Sequence, residues 1–229
     1  NPKYLNSPET LIFQKGRELY GLSQARKRLK DFHEIYIVEG YMDVIALAQF
    51  DIRNVVASLG TAATHEHMEK MLRITNKLVF CFDGDTAGKK AAWRALENSL
   101  PLLKNGRQVY FIFLPDNEDP DSFVRKNGKE SFINPTMQVP LSKFLFSSLS
   151  QKINLEILEG RSEMINKTMP FLEKLPSDPY KDIIIKELSK ITRYEITDIK
   201  NQLSKSKKSD TKIINKNVTT ANQNKGIEK

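Results

Sequence analysis

From residue 35 to residue 114 the apolar positions of this chain fall into two kinds of stretch that take turns. Short unbroken runs rich in β-branched and aromatic residues, at 35–38, 55–57, 78–82 and 109–114, have the length and composition of strands. Between them, 43–50, 64–74 and 86–103 place apolar residues at helical spacing, the last stopped near Asn105-Gly106. Runs apolar on both sides belong inside a mainly parallel sheet covered by helices on both faces. The pattern therefore predicts an α/β fold, with ligands gathering at the carboxyl ends of the strands. Ahead of it, Ser7-Pro8-Glu9-Thr10 predicts a short helix, with Ser7 as cap and Pro8 at the first helical position. Beyond Pro135 and Pro140 the periodic stretches 141–149, 161–175 and 179–191 follow one another without strands, which predicts a small all-helical subdomain over 136–203. Residues 204–229 are rich in Lys, Ser, Asn and Thr and nearly free of large apolar side chains; such a tail cannot offset its ordering entropy and is expected to be disordered.

Charge sharpens this division. The chain carries a net +8, but residues 1–30 hold seven Lys/Arg against two acids and residues 204–229 hold seven lysines against two acids, so the centre is slightly acidic. Basic ends around an acidic middle fit a protein that grips a polyanion with its flanks and metal ions at its centre; solvated ends are the plainer alternative. The single cysteine, Cys81, lies inside an apolar run, so neither a disulfide framework nor a cysteine-based zinc site is expected. That cysteine usage fits a reduced, cytoplasmic setting, and with no run near the roughly 18 apolar residues of a membrane span a soluble protein is expected. An opening without Met that runs straight into patterned sequence suggests a piece of a longer protein.

Three acidic clusters fall just past the carboxyl end of a predicted strand. Glu39 follows 35–38, with Gly40 next and Asp43 opening the following helix; Asp83 and Asp85 follow 78–82 around Gly84; Asp119 and Asp121 follow 109–114 through a short loop. Carboxylates gathered at one sheet edge repel each other and lose hydration unless a cation compensates, and oxygen ligands without histidine or thiolate favour Mg²⁺ or Mn²⁺. In Asp83-Gly84-Asp85 alternate side chains point the same way, so two ions about 4 Å apart could be bridged. Each cluster alone has a plainer reading: Asp-Gly-Asp as a polar turn, Asp43 as a helix cap, and Asp119-Pro120-Asp121 as a helix start.

Glu39-Gly40-Tyr41-Met42-Asp43 and Asp83-Gly84-Asp85-Thr86-Ala87-Gly88 resemble the two signature motifs of the TOPRIM fold. Tyr4-Leu5-Asn6-Ser7-Pro8-Glu9-Thr10, Lys15-Gly16, Leu19-Tyr20-Gly21-Leu22, Ala57-Ser58-Leu59-Gly60-Thr61 and Glu118-Asp119-Pro120-Asp121 narrow the resemblance to bacterial replicative primases of the DnaG type, over roughly residues 1–195. The resemblance implies DNA-templated synthesis of short RNA primers from ribonucleoside triphosphates on single-stranded DNA. It implies that Glu39, Asp83 and Asp85 are catalytic metal ligands, that Asp43, Asp119 and Asp121 complete the acidic site, and that Lys3, Asn6 and Lys15 line a basic template cleft. It makes residues 1–33 the end of a basic N-terminal lobe, 34–135 the TOPRIM domain, 136–203 a helical subdomain and 204–229 a basic linker. Such primases also carry a zinc-binding domain and a C-terminal domain that docks on the replicative helicase, and both are expected to lie outside this chain. The rivals are a metal- and nucleic-acid-binding piece without turnover, and a TOPRIM nuclease or topoisomerase, although a topoisomerase needs a nucleophilic tyrosine in a further domain. His65 and His67 read as surface polar groups, Cys81 as core, and Trp93, Leu96 and Leu100 as a packing stripe.

Overall fold

The computed structural model of the chain describes residues 8–11, 14–28, 33–59 and 63–205. Lys3, Asn6, Ser7 and the tail expected beyond 204 fall outside these residues, apart from 204 and 205 themselves. Strands β1 (Glu34–Val38), β2 (Val55–Ala57), β3 (Lys77–Phe82), β4 (Gln108–Phe113) and β5 (Val139–Pro140) form one sheet in the order β2-β1-β3-β4-β5. The first four are parallel, and β5 closes the edge antiparallel through Tyr110↔Pro140 and Phe111↔Val139. Helices α1 (Leu22–Arg28), α2 (Tyr41–Gln49), α3 (His65–Met71), α4 (Thr86–Ser99), α5 (Pro120–Phe132), α6 (Leu141–Ser150), α7 (Leu158–Lys174) and α8 (Pro179–Thr192) complete the fold, with a last helical stretch at 196–205.

Both sheet faces are buried because successive strand residues point to opposite sides. Tyr36, Val38, Val79, Cys81, Ile112 and Leu114 share one core with Val44 and Leu47 of α2 and Phe123, Val124 and Phe132 of α5. On the other face Phe80, Phe82, Phe111 and Phe113 stack with ring centroids 5.9–6.5 Å apart. Phe144 of α6 packs on Phe111 at 4.9 Å and meets Trp93 of α4 edge-on, so the expected stripe on α4 is a packing surface. The predicted α/β class, mainly parallel with helices on both faces, is the observed one.

Two local expectations are corrected, and two elements appear that the pattern did not predict. Pro8–Leu11 carry no helix; Leu11 is almost wholly exposed, so the segment has no buried face to support one. The nearby helix is α1, whose Leu-Ser-Gln-Ala-Arg-Lys-Arg sequence buries Ala25 and shows little periodicity. The stretch 86–103 is α-helical only to Ser99, because Pro101 lacks the N–H to continue and the chain tightens into a 3₁₀ turn at Leu100–Leu102. The two-residue β5 is too short to leave a pattern.

Two compact units divide the chain. Among the described residues the first runs to Ser148 and takes back Leu175–Tyr180; the second holds Leu149–Lys174 and residues 181–205. Within the second, Met164, Ile165, Phe171 and Leu172 of α7 and Ile184, Ile185 and Leu188 of α8 are buried, and Lys200 pairs with Asp182 at 2.8 Å. No described helix is long and apolar enough to cross a membrane.

Candidate functional site

The acidic residues are placed by register. Ile37 pairs with Phe80, so Glu39 stands level with Phe82, one strand spacing or about 5 Å across, and Asp83 follows one residue further along the neighbouring strand. Phe82 pairs in turn with Phe113, which sets Asp83 beside Leu114 and Gly84 beside Pro115. The two glycines of the motif are there for room. A Cβ on Gly84 would lie 2.4 Å from the Pro115 carbonyl oxygen, so only glycine lets the turn after β3 lie against the end of β4. A Cβ on Gly88 would lie 2.2 Å from the Asp83 carbonyl oxygen, so the first turn of α4 rests directly on the Asp83 backbone and fixes where its side chain starts.

Charge gathers at this edge. Burial, then the negative charges of Asp83 and Asp85, push the Glu39 carboxyl above its usual range. Glu39 still exposes much of its side chain to solvent, so its desolvation is partial; the repulsion from the two aspartates is the contribution a cation would reverse. The buried Cys81 thiol is also pushed up, by burial first and then by Asp83, Asp43 and Glu39, which makes it an inert core group in a negative field.

Several of these carboxylates have local tasks as well. Asp43 accepts the Gly40 N–H at 3.1 Å and so closes the start of α2. Asp85 is the N-cap of α4 and accepts the Gly88 N–H at 2.7 Å. Asp119 caps α5 by accepting the Ser122 N–H at 2.8 Å, while the Ser122 hydroxyl accepts the Asp119 N–H at 3.0 Å. Asp121 pairs with Arg125 one turn on, and Glu118 pairs with Lys126 at 3.0 Å. The structure thus brings Glu39, Asp83 and Asp85 within each other's field and gives Asp119 and Asp121 roles at a helix start. Among the described residues no group of three or more His, Cys, Asp or Glu side chains stands close enough together to hold a metal ion as placed. The donor set nevertheless fits a hard cation: oxygen ligands only, in a place where unbalanced negative charge already disturbs Glu39.

Beside Glu39 a cleft of about 250 Å³ is lined by Phe82, Ser58, Ala87, Ala91 and Arg94. Arg94 went unremarked in the sequence, yet Ala87, Ala91 and Arg94 recur at i, i+4 and i+7, the spacing of one helix face. That face begins two residues past Asp85, which was the available signal. His67 corrects the sequence reading: it is fully buried, because its ring lies at the start of α3 beneath the basic turn of residues 15–18. Lys15 itself is half-buried, with its backbone N–H donated to Glu9 Oε1 at 2.9 Å.

Comparison with known proteins agrees with this layout. A Toprim-like family model matches residues 36–124, the N-terminal domain of the DNA primase catalytic core matches 1–26, and a model described as the DnaB-helicase binding domain of primase matches 142–194. The last match corrects the expectation that helicase-docking sequence lies wholly outside this chain; helices α6 to α8 carry no chemical motif by which the sequence announced it. The DNA primase of Legionella pneumophila is 53% identical over 195 residues, which are 85% of this chain and 34% of that protein. The crystal structure of a DNA primase domain from Pseudomonas aeruginosa superposes with a TM-score of 0.84 at 49% identity, covering 89% of this chain and 64% of that one. A DnaG primase catalytic domain solved bound to single-stranded DNA superposes at 0.81 with 45% identity, covering 86% and 63%. The chain thus spans about a third of the length of the curated relative, and its Toprim-like part has a divalent-metal-binding fold. With this sheet order, the glycine-spaced acidic motifs and identity near one half along most of its length, the chain belongs to the bacterial DnaG-type DNA primases, of which it carries the Toprim-bearing part of the catalytic core.

Proposed function

We propose that this chain carries the site at which a bacterial primase joins ribonucleotides into a short RNA primer on a single-stranded DNA template. The observation that carries the reading is the gathering of Glu39, Asp83 and Asp85 at the ends of β1 and β3, where burial and then repulsion from the two aspartates push the Glu39 carboxyl up. Those three residues would hold Mg²⁺ or Mn²⁺, with Asp43, Asp119 and Asp121 around them. When bound, such ions offset triphosphate charge and make the primer 3′-hydroxyl a better nucleophile. The chain's own contribution is to hold its carboxylates still. Gly84 and Gly88 lock the Asp83 turn against the end of β4 and the start of α4, and Asp43 is held by the Gly40 N–H. Arg94 adds a cation in the cleft beside Glu39, suited to a phosphate of the incoming nucleotide.

We further infer that Lys3, Asn6 and Lys15 contact the template, which the basic character of residues 1–30 supports. The division into lobe, TOPRIM domain, helical subdomain and linker is supported by the limits of the three family models, and the match over 142–194 supports contact with the replicative helicase in the bacterial cytoplasm.

The test is incorporation of labelled ribonucleotides on single-stranded DNA with Mg²⁺ or Mn²⁺, by this chain alone and with a primase N-terminal lobe supplied, against Asp83→Asn. Synthesis by the wild-type chain and none by the variant is expected. Near-normal synthesis by Asp83→Asn overturns the site assignment. No synthesis by the wild-type chain, with ion binding retained, overturns the catalytic reading in favour of a metal-binding piece.

A further inference from the structure

Among the described residues, His67 Nε2 is the one buried side-chain nitrogen or oxygen without a hydrogen-bond partner. The ring's other nitrogen, Nδ1, accepts the Thr64 N–H at 3.2 Å, which assigns the proton of the neutral ring to Nε2. A buried donor without an acceptor is destabilising, and its presence calls for a reason.

The surroundings supply one. Thr64, His67 and Lys70 recur every three residues on one side of α3, and all three act on the turn of residues 15–18. Thr64 Oγ1 donates to the Gly16 carbonyl at 2.7 Å, and Lys70 Nζ donates to the Arg17 carbonyl at 2.6 Å. The Lys15 and Glu18 carbonyls bear on the His67 ring without reaching hydrogen-bond geometry. Arg17 Nε adds an ion pair to Glu66 at 2.9 Å. Every residue of the turn is thus engaged by a helix about fifty positions away. The far side of the same segment is tied to the sheet, where Tyr20 and Ala57 exchange both backbone hydrogen bonds at 3.0 Å. A phenylalanine would fill the place of the imidazole, but it would leave the Thr64 N–H without its acceptor and remove the polar ring on which the Lys15 and Glu18 carbonyls bear.

We propose that His67 is a positioning residue for nucleic-acid binding: by seating the Lys15–Glu18 turn on α3 it aims the Lys15 ammonium at the template strand. This rests on the proposed template role of Lys15 and extends it to a residue that touches no nucleic acid itself.

The experiment is anisotropy of a labelled single-stranded oligodeoxynucleotide with this chain and with His67→Phe, Lys15→Ala and the double variant, thermal melting confirming the fold of each. His67→Phe and Lys15→Ala are each expected to weaken binding about fivefold, with the double variant no weaker than Lys15→Ala, the non-additivity of residues acting through one network. Thr64→Val, which cuts the tie to Gly16, is expected to follow His67→Phe, and His67→Asn, which restores an acceptor for the Thr64 N–H, to recover part of the loss. Wild-type affinity in folded His67→Phe overturns the proposal, and so does a loss that adds in full to that of Lys15→Ala. Should His67→Phe not fold, unchanged affinity in Thr64→Val overturns it. Failure of the wild-type chain to bind the oligonucleotide at all overturns the template reading itself, and this inference with it.

Discussion

Replacing Gly88 by alanine sets two effects of known size against each other. Gly88 is the third residue of α4, and helix propensity alone makes Gly88→Ala stabilising by about 0.8–1 kcal/mol. The structure opposes this, since the added methyl would lie 2.2 Å from the Asp83 carbonyl oxygen and 3.2–3.3 Å from two further Asp83 backbone atoms, against an ordinary contact of 3.4–4 Å. Backbone must move to relieve the clash, so the cost belongs at the upper end of the roughly 1–3 kcal/mol typical of overpacking. The net expectation is a loss of about 2 kcal/mol, which for a chain of this size lowers Tm by about 4–8 °C. Urea unfolding and thermal melting measure it. The movement also displaces Asp83, so Mn²⁺ affinity at the proposed site, measured by calorimetry, should fall on the order of tenfold, as when a group supporting a ligand is removed. Gly106→Ala is the control: its φ is +76° with nothing within 4 Å, so it should cost only the roughly 1 kcal/mol of left-handed strain and leave Mn²⁺ affinity unchanged. A Gly88→Ala chain as stable as wild type, with normal Mn²⁺ affinity, refutes the reasoning.

Three further outcomes are expected. Asp83→Asn removes one of the charges that push Glu39 up, so without metal its Tm should equal or slightly exceed that of wild type, while the rise in Tm on adding Mn²⁺ should disappear; a retained Mn²⁺-dependent rise would show that Asp83 is no ligand. The His67 imidazole is held below its ordinary value of 6.5, chiefly by burial. The unfolded chain therefore binds more protons between the lowered folded pKa and 6.5, and stability should be full above about 6.5 and decline as the pH falls below it. Urea midpoints from pH 5 to 7 should show that slope in wild type and a smaller one in His67→Phe. Asp119→Ala removes an N-cap and should cost about 1 kcal/mol, whereas Asp121→Asn breaks a single i,i+4 pair and should cost no more than about 0.5 kcal/mol. A large loss of primer synthesis in Asp121→Asn at nearly unchanged stability would thus assign Asp121 to ion or nucleotide binding.

Much of the acidic site was legible because its parts are local. A buried parallel strand is announced by an unbroken apolar run, the turn after it must hold polar residues and glycine, and the next helix asks for a cap. Asp43, Asp85 and Asp119 therefore declared their places, and the glycines around Asp83 declared that something packs closely there. Their double use as caps was foreseen only in part, since whether Asp85 reaches outward or folds back to the Gly88 N–H depends on how α4 leaves the sheet.

By itself, then, the sequence determined the alternation of strand and helix, the burial of both sheet faces and the placing of acids at strand ends, all of which follow from patterns a few residues long. The tertiary structure decided the order β2-β1-β3-β4-β5, the antiparallel two-residue edge and the level at which Glu39 meets Asp83, because these depend on pairings between residues tens of positions apart. It also decided His67. On a short helix with the sequence His-Glu-His-Met-Glu-Lys-Met nothing local distinguishes an exposed imidazole from a buried one, and what buries this ring is a turn of chain about fifty residues earlier.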